Sequence, residues 1–149
     1  MATRGFEFAY DLGGAQATPK IVDWYVAPYM TGYPGDALTI TSLGYGTAVG
    51  TATKEVLGIL QETVASGTSA VKYKVALACR EQVWRCSMDS TSTLAKIGYT
   101  KAVQFVDGNT LDTHYTAGTG SMILVDTGTD DDGNVLAYVC FSDTTFGNA

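Results

Sequence analysis

Apolar and polar residues alternate cleanly over AVKYKVALACR (70–80), with Val71, Tyr73, Val75 and Leu77 on one parity and Lys72 and Lys74 on the other. A period of two belongs to a strand with one buried face, so this segment predicts the best strand of the chain. QVWRCSM (82–88) follows after a tight break and reads as its hairpin partner. VLAYVCF (135–141) repeats the pattern, with Val135, Ala137, Val139 and Phe141 opposite Leu136, Tyr138 and Cys140. Shorter strands are predicted in IVDWYVA from Ile21, in ALTIT (37–41), in KAVQFVDG (101–108) and in SMILVD (121–126).

Turn chemistry separates these runs: Pro28, then Gly32 to Asp36, then Asp107-Gly108, and the Asp-rich TGTDDDGN ahead of Val135. LGYGTAVGTAT (43–53) is rich in Gly and Thr and predicts a loop. KEVLGILQETV (54–64) is ambiguous, because Val56, Leu57, Leu60 and Val64 also fit a helical stripe. Gly58 would weaken that helix by about 1 kcal/mol relative to Ala, and the flanking strands favour another strand. The chain therefore predicts an all-β fold, a small antiparallel barrel or sandwich of about eight to ten short strands.

An N-terminal arm over residues 1–19 precedes a β-rich body over residues 20–149. Phe6, Phe8 and Tyr10 fall on alternate residues, which puts them on one face of an extended segment. Asp11 to Thr18 (DLGGAQAT) is small and Gly-rich, a flexible connector. Two readings follow: an ordinary first strand, or an arm that packs on a partner. The second expects residues 1–18 to be removable without unfolding the body.

Composition narrows the function. Charged residues make up 16% of the 149-residue chain, against about 25% in ordinary domains, and the net charge is −6. The nine basic residues are scattered singly from Arg4 to Lys101. Neither nucleic acid nor an anionic membrane surface is an expected partner, since both require clustered cations. The N-terminus has no apolar run of signal-peptide length. Cys79, Cys86 and Cys140 make an odd count with no Cys-x-x-Cys spacing, and read as small buried apolar residues. A Cys79–Cys86 bridge across the hairpin stays open as an alternative.

Candidate chemistry is sparse. His114 is the single histidine, too few for a histidine metal site, and Asp112 beside it forms no catalytic triad. Asp126 and Asp130 to Asp132 suggest a calcium loop, but an EF-hand register with Gly133 at its sixth position puts Gly128 and Val139 where ligands belong. These acids read as a charged hairpin tip. GYGTAVGTATK lacks the Gly-Lys-Ser/Thr ending of a phosphate loop. No enzyme activity, cofactor or metal is expected. Trp24, Tyr25, Tyr29, Tyr33 and Tyr45 form an aromatic run suited to core and interface packing, or to stacking on sugar rings.

The order PGDALTI, a Gly/Thr loop, VLGIL, a polar turn, VKYKVAL and QVWRC resembles the small head-decoration, or cement, proteins of tailed bacteriophages, the lambda-like class included. VDGNTLDTHYTAGTGSMILVDTGTDDDGNVLAYVCF, an Asp-Gly turn followed by a Thr-rich stretch and two final strands, is similar to the same class. The likeness spans residues 33–141 and is one of strands and turns, not of a catalytic signature. It implies a β-rich homotrimer on the outer surface of an icosahedral capsid, made in the host cytoplasm, that bridges major capsid protein subunits and stabilises the head. On that reading Arg4, Phe6, Phe8 and Tyr10 are expected to contact the capsid, and Trp24, Tyr25, Tyr29 and Tyr33 the trimer or another partner. The alternative is a carbohydrate- or cell-surface-binding module using the Trp24 to Tyr45 aromatics.

Overall fold

A computed structural model describes residues 5–12, 18–50, 53, 55–88, 103–108, 110–112 and 121–146. No helix occurs among them. The strands are β1 (Glu7–Asp11), β2 (Ile21–Val26), β3 (Ala37–Ile40), β4 (Gly46–Ala48), β5 (Glu55–Val56), β6 (Gly58–Leu60) and β7 (Val71–Leu77). They continue with β8 (Gln82–Met88), β9 (Gln104–Asp107), β10 (Thr110–Asp112), β11 (Met122–Thr129), β12 (Val135–Phe141) and β13 (Asp143–Thr144).

Five strands close a barrel in the order β2-β4-β3-β6-β7. The predicted alternation of β7 builds its wall: Tyr73 and Val75 face the barrel interior with Val26, Met30, Leu38, Leu60 and Val64. Lys72 and Lys74 face out and pair in register with Tyr25 and Asp23 of β2. A second sheet runs β11-β12-β8-β10-β9. β1 and β10 lie end to end along one edge of β8, whose other edge holds β12. The main core sits between sheet and barrel. Ala37, Ile59 and Ala76 come from the outer barrel wall, and Trp84, Phe105, Leu124, Val139 and Phe141 from the sheet.

Four expectations change. The hairpin between β7 and β8 does not form. Both edges of β7 are occupied by β2 and β6 to close the barrel, so β8 has no edge to join. The chain instead turns at Cys79, whose N–H donates to the Gln82 side chain at 2.8 Å, and enters the other sheet. Residues 43–53 are not all loop, because Gly46–Ala48 forms β4 between β2 and β3. Residues 55–60 are extended but broken at Leu57 into β5 and β6, with β5 leaving to pair with β13. Gly58 is required there: a Cβ would collide with the carbonyl oxygen of Ala76.

The N-terminal segment is the fourth. β1 pairs with β8, and Phe6 is 3% exposed, packed against Phe105 and Phe141 at ring distances of 5.9 and 5.5 Å. Phe6 and Phe8 do share the inward face, Phe8 meeting Trp84 edge-on at 5.7 Å. Tyr10 does not. A register shift between Phe8 and Tyr10 pairs Phe8 with Trp84 but Tyr10 with Val83, which points to the opposite face.

Candidate interaction surface

The residues singled out as contacts separate into three groups. Arg4 lies outside the described residues, as does His114. Phe6 and Phe8 serve the chain's own core, so the first-strand reading describes β1. Trp24 also turns inward: it packs on the barrel interior, meets Phe146 edge-on at 5.4 Å, and donates its indole N–H to the Gly44 carbonyl at 2.9 Å. Tyr10, Tyr25, Tyr29 and Tyr33 are exposed.

Tyr25 and Tyr29 belong to one corner of the barrel that three segments build. β2 ends at Val26, which pairs with Gly46 of β4 and Val71 of β7. Ala27 N–H then donates to the Gly46 carbonyl at 2.9 Å, and Tyr29 N–H to the Gly67 carbonyl at 2.7 Å. Gly32 bridges to Val64, tying in the rest of the loop that carries Tyr33. Thr41 closes the turn beneath, its hydroxyl accepting from the amides of Leu43 and Tyr45 at 3.3 and 3.1 Å. Backbone hydrogen bonds hold most of the corner, with the Thr41 hydroxyl and the Asp36 carboxylate, which accepts from the Tyr33 N–H at 3.0 Å, closing its turns.

The exposed residues of the corner are apolar or aromatic: Leu43 is 76% exposed, Tyr29 72% and Tyr25 49%. Val71, on the inward parity opposite Val26, is 50% exposed where β7 begins at the barrel's end. The Tyr25 ring faces Tyr45 at 6.4 Å, and the Lys72 ammonium sits 5.2 Å from its centroid. Residues 24–35, 37–50 and 63–71 contain no Asp, Glu, Lys, Arg, Asn or Gln. The charge of an acidic chain is therefore carried elsewhere, and Lys72 is the cation that borders this corner. Asp23, on the same outward face as Tyr25, is paired with Lys74 at 3.4 Å, so exposed tyrosine and aliphatic groups dominate the corner, as they do the core of a protein–protein interface. The aromatic run in the sequence pointed to Tyr25 and Tyr29. Leu43, Val71 and Lys72 were missed because β3, β4 and β7 bring them there only after the barrel closes.

Other candidate sites resolve into structure. The hairpin tip is organised by Asp130, whose carboxylate accepts from the Asp132 and Asn134 amides at 2.9 Å each and from the Asn134 side chain at 3.1 Å. Gly133 supplies the positive φ that the turn needs. Among the described residues no cluster of His, Cys, Asp or Glu has the makings of a metal centre. The three cysteines are free, and the Cys79–Cys86 bridge does not form. Burial, chiefly, holds the Cys86 thiol well above its ordinary pKa, and pushes Cys140 up to about 11 with Asp11 adding to it. Neither is a nucleophile at neutral pH.

A cleft of about 530 Å³ runs between β1 and the barrel, lined by Phe6, Phe8, Pro19, Ile21, Pro34 and Trp84 among others. Two of its polar side chains are engaged internally, while the buried indole N–H of Trp84 has no hydrogen-bond partner among the described residues. Glu7 accepts from Arg85 at 3.0 Å, and Gln61 donates to the Ile59 carbonyl at 3.0 Å. The cleft is a seam between the two halves of the fold. Comparison with known proteins finds no matching family model, no similar curated protein and no similar solved structure. The class defined here is an all-β barrel-and-sheet protein with an uncharged tyrosine corner.

Proposed function

We propose that this chain is a structural capsid-decoration protein of a tailed bacteriophage. It would bind the outer surface of an icosahedral head as a homotrimer, bridge neighbouring major capsid protein subunits, and stabilise the shell without making or breaking bonds. The strand-and-turn resemblance over residues 33–141 supplies the biological context. The observation that carries a protein partner is the barrel corner, where Tyr25, Tyr29 and Leu43 are exposed and residues 24–35, 37–50 and 63–71 carry no charged side chain. A shell repeats its contact many times, so a modest apolar patch on each copy suffices through avidity.

A carbohydrate partner is less well supported. Sugar hydroxyls call for carboxylate, amide or guanidinium partners beside a flat aromatic platform. This corner has none of those side chains in its three segments, Tyr25 and Tyr45 are tilted by 58°, and the Trp24 N–H is engaged with Gly44. The deciding experiment mixes the purified protein with undecorated shells and images them by electron microscopy. Symmetric added density at three-fold or quasi-three-fold positions is expected. Bare shells at saturating protein would reject the reading.

A further inference from the structure

Four described residues have positive φ, and three of them are glycines: Gly35, Gly44 and Gly133. The fourth is Tyr29, at φ 64°. It follows Pro28 in the turn from Ala27 to Met30. A proline-led turn of type II needs a positive φ at the residue after proline, a position that Gly or Asn fills at little strain. A bulky side chain there shifts the folding equilibrium against the native state by about tenfold. The turn itself is firmly set. Val26 and Met30 are buried on either side, and the Tyr29 N–H is bonded to Gly67 at 2.7 Å.

Nothing among the described residues explains the ring. Tyr29 is 72% exposed, and its hydroxyl has no hydrogen-bond partner among the described residues. No described aromatic ring packs on it. A tyrosine projected from a strained, hydrogen-bonded turn has its backbone fixed before binding, so only the ring's own rotation is left to be ordered. Tyrosine suits that role because it combines a large apolar face with a polar tip.

We infer that Tyr29 is the anchor residue of the shell contact, seated in an apolar recess of the protein surface that has a hydrogen-bond acceptor for its hydroxyl. This rests on the decoration reading above. Charge complementarity selects the occupant: residues 24–35, 37–50 and 63–71 carry no charge, Asp23 is neutralised by Lys74, and Lys72 over the Tyr25 ring is left to favour an acidic protein face.

The test compares wild type with Tyr29→Gly, Tyr29→Phe and a distant control, Asp131→Asn on the hairpin tip, in two measurements: the denaturant midpoint, and co-sedimentation with undecorated shells. Tyr29→Gly is expected to raise the midpoint, because it relieves the strain, and to weaken shell binding at least tenfold. Tyr29→Phe should lose severalfold through the hydroxyl, and Asp131→Asn should bind as wild type does. Wild-type binding with Tyr29→Gly within twofold of it overturns the inference and leaves the function standing. No wild-type binding removes the function, and the inference with it. A lower midpoint for Tyr29→Gly overturns the strain argument. Loss of self-association with shell binding intact reassigns the ring to a contact between copies, which also overturns it.

Discussion

Phe6 decides whether the N-terminal segment is a detachable arm or part of the fold. The perturbation is Phe6→Ala. The ring is 3% exposed and packs against Phe105 and Phe141, which themselves stack at 6.3 Å. Burying a phenylalanine removes roughly 200 Å² from water, worth about 5 kcal/mol at ~25 cal/mol per Å² as an upper bound. Measured Phe→Ala losses in well-packed cores run about 3–5 kcal/mol. A domain of this size has a total stability on the order of 5–15 kcal/mol, so the substitution should remove a large fraction of it. The assay is guanidinium unfolding followed by tryptophan fluorescence. Trp84 reports directly, lying 5.7 Å from Phe8 and 6.3 Å from Phe141. Deletion of residues 1–12 should do more harm, since it also removes the β1–β8 pairing and the Phe6 N–H bond to Gly35 at 2.8 Å. A Phe6→Ala loss below about 1 kcal/mol, or a truncated protein with an unchanged midpoint, would refute the placement and restore the free arm.

Gly58→Ala should destabilise by about 1–3 kcal/mol or more, read from the denaturant midpoint, because the new methyl meets the Ala76 backbone and not a movable side chain. Asp130→Ala should lower stability by about 1–2 kcal/mol through loss of the two amide bonds at the hairpin tip, while added calcium leaves the thermal midpoint unchanged. Cys140 gives a pH dependence of definite sign. Its thiol, ordinarily near 9, is raised to about 11 in the fold, so the unfolded chain ionises first and stability declines between about pH 9 and 11. Thermal midpoints measured across that range should fall less steeply in Cys140→Ala, with Cys86 supplying a residual slope of the same direction.

Local patterning carried the strands better than their partners. Val71, Tyr73 and Val75 could be assigned to one face because a period of two is read from neighbours in the chain. Which strand lies beside β7 depends on closing the barrel, and the four residues between Leu77 and Gln82 carry no sign of that closure. The same limit hid β4, whose Gly46 and Ala48 have weak strand propensity and which is extended because β2 and β3 bracket it. In β1 the alternation of Phe6, Phe8 and Tyr10 was legible, yet one bulged residue sends Tyr10 to the other face. The interface candidates fared likewise: the aromatic run was visible, but Trp24 and Tyr25 are adjacent in sequence and point to opposite sides of the barrel wall.

That opposition explains why a contact surface sits where it does. In β2 the inward parity, Trp24 and Val26, fills the barrel, and the outward parity, Ile21, Asp23 and Tyr25, is left to solvent. At the Ile21 end this outer wall turns toward the sheet and borders the cleft beside Phe6 and Trp84. In the middle, Asp23 and Lys74 form an exposed ion pair at 3.4 Å, an arrangement that contributes little to stability. Past Tyr25 the charges stop, and the turn projects Tyr29 from a backbone conformation that glycine would adopt more readily. A fold under selection for stability alone would place glycine or asparagine there. Tyrosine at that position is intelligible if its ring acts outside the molecule, which ties the local strain of one turn to the proposed shell contact.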